Sequence, residues 1–153
     1  MSRASLPARC SQRGLAAVEF AIALPVLLLL MMATAELGRM LSQYDTVTKS
    51  VRDGARYLAG HALVGSTSVV TISGQLQGET VNLVVSGNIN GGPPLLPGFV
   101  AGNVTVANLG NGYVSVAAAY TYQPILATLP TFGLTNAINL AFPLQASVVM
   151  RAL

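Results

Sequence analysis

The chain has 153 residues, of which 52% are hydrophobic and only 8% charged, with a mean hydropathy of +0.60 and a net charge of +3. The surplus positive charge is local: Arg3, Arg9 and Arg13 carry it, while 15–153 holds five basic and five acidic residues. No basic face remains to release counter-ions from nucleic acid, so nucleic-acid binding is excluded, and a lone Cys10 excludes an intrachain disulfide.

Residues 1–14 are short, basic and interrupted by Pro7, and they read as a cytoplasmic leader peptide. Leu6-Pro7-Ala8-Arg9-Cys10 is not a lipidation signal, because the apolar stretch follows the cysteine instead of preceding it. From Leu15 to Ala35 there are 21 residues with Glu19 as the only charge. As a helix they suffice to cross a hydrocarbon core of roughly 30 Å. Arginines before the span orient it with the N-terminus in the cytoplasm and the C-terminal domain outside. A carboxylate within such a span costs about 2.5–3.5 kcal/mol on insertion scales, so Glu19 calls for a partner. Pro25 removes one backbone donor and is expected to bend the helix near Ala21.

Helical periodicity continues past the span. Leu37, Leu41, Tyr44, Thr48, Val51, Ala55 and Leu58 alternate spacings of four and three, the pattern of one buried face. Arg39, Gln43, Asp45, Lys49, Arg52, Asp53 and Arg56 fall opposite, with Asp45–Lys49 and Lys49–Asp53 spaced to pair across a turn. Gly60 is the expected stop, giving one helix of roughly 68 Å at 1.5 Å per residue.

Beyond Gly60 the period becomes two. Val69–Ser73, Val81–Ser86, Asn103–Ala107, Tyr113–Gln123 and Leu144–Met150 read as strands, Asn90–Pro94 as a loop, Asn111-Gly112 as a hairpin turn and 124–135 as an irregular crossover. The expected class is α+β: a long N-terminal helix (15–60, with the span at 15–36) followed by a small, mostly antiparallel sheet domain (61–153). That sheet would cover the amphipathic half of the helix. No catalytic set is visible. His61 has no second histidine for a metal site, Asp45 and Asp53 read as solvated charges, and Gly110-Asn111-Gly112 is a turn with no helix and lysine behind it. Neither cofactor nor metal is expected.

A basic leader ends in Gly14, the apolar span starts at Leu15, and Glu19 and Phe20 stand fifth and sixth after the junction. This resembles the processing site of type IV pilins and pseudopilins. The wider run from Arg13 to Ala21, with Pro25 and Leu27–Leu30 behind it, resembles the TadE-like class of tight-adherence (Tad) pilus assembly proteins. Glu36–Arg39 and Val51–Tyr57 fit the helix of that class, and Val148–Arg151 its last strand; 61–112 match nothing in it.

The resemblance implies a minor pseudopilin of the inner membrane with a periplasmic C-terminal domain. It implies cleavage by a prepilin peptidase between Gly14 and Leu15, with Glu19 and Phe20 in the recognition stretch. Its expected partners are other pilin or pseudopilin subunits, an inner-membrane assembly platform and membrane lipid. Glu19 and Pro25 are the expected subunit-packing residues, Glu19 meeting the new α-ammonium of Leu15 or that of a neighbour. Two other readings stay open: a secreted β-domain released by signal peptidase after Ala33-Thr34-Ala35, and a plain single-span anchor for a binding domain.

Overall fold

The structure, a computed structural model, describes residues 12–63, 69–125, 128–129 and 138–153. Most of the leader, Cys10 included, and most of the expected crossover at 124–135 lie outside the described residues. In chain order the elements are helices α1 (Gln12–His61) and α2 (Gly74–Ser86), then a 3₁₀ turn (Ala101–Asn103). Strands β1 (Val104–Gly110), β2 (Tyr113–Thr121), β3 (Thr128–Leu129), β4 (Ile138–Asn139) and β5 (Pro143–Arg151) follow. One long helix precedes a three-stranded antiparallel sheet of order β1-β2-β5, with β3 and β4 paired separately. This is the α+β layout expected. The chain divides into two compact units between Leu37 and Gly38.

The first unit is the apolar part of α1. Its large side chains, among them Leu15, Phe20, Ile22, Leu30 and Met31, are exposed around the helix, and its most apolar stretch is nowhere buried. Pro25 sits inside α1 without ending it. This is a candidate membrane span by length and composition.

In the second unit, the rest of α1 and α2 pack with the sheet around one core. It holds Val47, Val51, Ala55 and Leu58 from α1, Leu76 and Val84 from α2, and Val114, Val116, Ala118 and Tyr120 from β2. Phe99 meets Tyr120 edge to face, centroids 5.7 Å apart, and the Tyr120 hydroxyl donates to the Pro97 carbonyl at 3.1 Å. The β1–β2 turn uses three positive φ values, Gly110 (78°), Asn111 (52°) and Gly112 (79°), with a bulge between Asn108 and Gly110. That is the hairpin expected of Asn-Gly.

Four expectations need correction. Leu37, Leu41 and Tyr44, placed on the buried face, are 56%, 60% and 43% exposed, whereas Gln43, placed opposite, is buried. The buried seam in this half runs through Met40, Gln43, Val47, Ser50 and Gly54, one residue behind the expected stripe until both coincide at Val51. At Gly54 a Cβ would strike Cγ2 of Val84, so α2 lies against α1 on that side. Gln43, three turns earlier, is buried with its Oε1 unbonded among the described residues.

Second, Val81–Ser86 is the end of α2 and not a strand. Ser73 caps α2, its Oγ accepting from Leu76 N–H at 3.1 Å, and Gly87 closes it in the left-handed region at φ 74°. Leu76, Thr80 and Val84, four apart, are its buried edge. The β-branched Thr80, Val81, Val84 and Val85 gave the sequence a strand-like look that packing overrode. Third, Val69–Ser73 contributes only an isolated bridge, Leu63 to Val70. Fourth, α1 ends at His61, with Gly60 inside its last turn, and Asp53 pairs with Arg56 (3.9 Å) instead of Lys49, which bonds Asp45 at 2.6 Å.

Glu79 joins the two helices. It accepts from Gln75 Nε2 and from the Tyr57 hydroxyl, both at 2.8 Å. Those two donors, Gln75 first, hold its carboxyl below the ordinary value, and the same bond to Glu79 raises the Tyr57 hydroxyl.

Candidate processing and packing site

Gly14 and Leu15 lie within α1, close to its first described residue, Gln12. Among the described residues nothing lies within 4 Å of the position a Gly14 Cβ would take, and Leu15 is 75% exposed. A residue without a side chain leaves the backbone beside it accessible.

Glu19 follows Leu15 by four residues and so stands on the same helix face, one turn on. It borders a shallow apolar groove with Ile22, Ala23, Val26 and Leu27, in which the short Ala23 leaves the hollow between larger neighbours. Glu19 is the only charge from Leu15 to Ala35, so a cation seated over this groove would neutralise it where solvent cannot. Phe20, 60% exposed, is next along the helix.

Pro25 lies elsewhere. Six residues turn a helix about 600°, which places it roughly 240° round from Glu19. Leu15 and Glu19 thus share one face a turn apart, and Pro25 lies off that face. Pro25 still offers no N–H to the Ala21 carbonyl, a polar group left over in the apolar stretch. The groove residues Ile22, Ala23 and Val26 were missed by motif reading, although their spacing of three, four and seven from Glu19 carried the signal.

Among the described residues no three of His, Cys, Asp and Glu stand close enough to hold a metal ion. His61 has its Nδ1 2.8 Å from the Tyr57 carbonyl and its ring against Tyr57, centroids 4.4 Å apart. A cleft bordered by Val70, Asn108, Gly112 and Arg151 contains neither a nucleophile nor a base.

No curated protein and no solved structure matches the chain. The TadE-like protein family model matches residues 14–56, from the first residue of the junction through most of α1. Over that stretch, which is most of the long helix α1, the chain is similar to TadE-like proteins.

Proposed function

We propose that this protein is a minor pseudopilin-like component of a Tad-type pilus assembly or secretion machine. A prepilin peptidase cuts it between Gly14 and Leu15, and it works by subunit packing and not by catalysis. The observation that carries the reading is the junction itself: the family match starts at Gly14, where a basic leader meets the apolar span, and Glu19 follows one turn later. In this reading residues 1–14 are the cytoplasmic leader and 15–36 the inner-membrane span. Residues 61–153 stand in the periplasm. The three leader arginines hold the N-terminus inside, since basic flanks resist translocation.

After cleavage Leu15 carries an α-ammonium. Glu19 pairs with it or with that of a neighbouring subunit, while the groove beside Ala23 takes a ridge of the neighbour's helix. The partners are the peptidase, other pilin or pseudopilin subunits, the inner-membrane assembly platform and the surrounding lipid. Mass-spectrometric determination of the mature N-terminus tests the reading. Leu15 is expected; Glu36, the product of an ordinary signal peptidase, or Met1, an uncut anchor, overturns it.

A further inference from the structure

From Ala62 to Met150, 89 residues, Glu79 is the only charged residue, and it is engaged with Gln75 and Tyr57. The sheet therefore has an open face with almost no charge on it. Register places Thr105, Ala117 and Ser147 in one row of that face and Ala107, Ser115 and Val149 in the next. Ala119 with Gln145 and Tyr113 with Arg151 are the flanking rows. The opposite face is the core side, carrying Val114, Val116, Tyr120 and Leu144. An antiparallel sheet exposed to water on one side normally carries polar and charged residues there, and lysines guard its edges. Here only Arg151, at one corner, is charged.

The open face is also uneven. At one end Tyr113 and Val149 stand out, 45% and 54% exposed. At the other end Asn103, Thr105, Ala117, Ala119, Gln145 and Ser147 line a shallow depression. Bulk at one end and a hollow at the other, on one neutral surface, make the face complementary to itself under a two-fold rotation.

The geometry points to a second copy of this chain as the occupant of the open sheet face, sheet against sheet. The two-fold axis runs across the strands at the Ala117–Ser147 row. Under that rotation Val149 of each copy enters the depression of the other opposite Gln145, Tyr113 lies over Thr121, and Ser147 meets its own counterpart. A charged partner surface would lose water here and find no counter-ion, whereas the identical face brings only Arg151, at its corner. Three strands about 4.8 Å apart and nine residues of about 3.3 Å give a face of roughly 400 Å² per copy. That is small for a dimer free in solution, and confinement of both copies to one membrane supplies the missing effective concentration. The pairing thus rests on the membrane placement proposed above.

The test uses the full chain with Cys10→Ser, reconstituted in lipid vesicles and checked by flotation, so that failure to enter the membrane is seen separately from failure to pair. Ser147→Cys, on the axis, is expected to oxidise to a disulfide-linked dimer at least tenfold faster than Asn90→Cys in the exposed loop. Adding Ala117→Lys sets two ammonium groups against each other at the axis. It is expected to abolish the cross-link while the thermal unfolding of the domain stays in place. Equal rates at Ser147 and Asn90 in floated protein overturn the proposal, as does a cross-link that survives Ala117→Lys. In cells, an adduct of Ser147→Cys with a chain of different mass in place of the dimer overturns it as well.

Discussion

At the scale of the residue, Glu19 concentrates the mechanism. It is a lone carboxylate among exposed apolar side chains, on the face of Leu15 and at the rim of the Ala23 groove. Replacing it with Leu removes an insertion penalty of about 2.5–3.5 kcal/mol, so membrane insertion is retained or strengthened. What the Glu19→Leu chain lacks is the anion that meets an α-ammonium in the apolar phase, where an unpaired cation is strongly destabilising. Insertion and cleavage are therefore expected to proceed in Glu19→Leu, with pilus-dependent adherence lost. Glu19→Asp, which keeps the charge on a shorter arm, should retain part of it. An adherence assay on a strain whose only copy is Glu19→Leu decides, and wild-type adherence would remove Glu19 from the mechanism.

Between elements, the contact that shapes the second unit is the crossing of α1 and α2. Gly54 faces Val84, which is fully buried and β-branched. Gly54→Ala gains about 1 kcal/mol of helix propensity but forces an overpacked contact of about 1–3 kcal/mol. The balance is a destabilised domain, with a lower midpoint in thermal or urea unfolding. The double change Gly54→Ala with Val84→Ala makes room for the new methyl. It should therefore be more stable than the sum of the two single effects predicts, by an interaction energy within about 0.5–3 kcal/mol. Strict additivity would mean that α2 does not lie against α1 at this point. Leu37, Leu41 and Tyr44 have the right period but stay exposed, and the buried side of α1 is the one on which Gly54 admits α2.

For the molecule as a whole, the asymmetry of charge sets the expected topology. Three arginines precede the span, and from Leu15 to Leu153 the chain is net neutral, with a single charged residue in the 89 from Ala62 to Met150. A phosphatase fused after Leu153 should be active, and a reporter that works only in the cytoplasm should be silent there. The reverse result would invert the chain in the membrane and end the pseudopilin reading. Sequence by itself determined the apolar helix, the hairpin at Asn111-Gly112 and strands β1, β2 and β5. Each is written in local chemistry: a run of apolar residues, an Asn-Gly pair that tolerates positive φ, a period of two. Tertiary structure alone decided the rest. The segment 74–86, rich in β-branched residues, is a helix because Leu76, Thr80 and Val84 find a core four residues apart and Ser73 and Gly87 cap it. Which side of α1 is buried, and which face of the sheet stays open, depends on where α2 packs. That choice rests on a contact between Gly54 and Val84, thirty positions apart, which no local window contains.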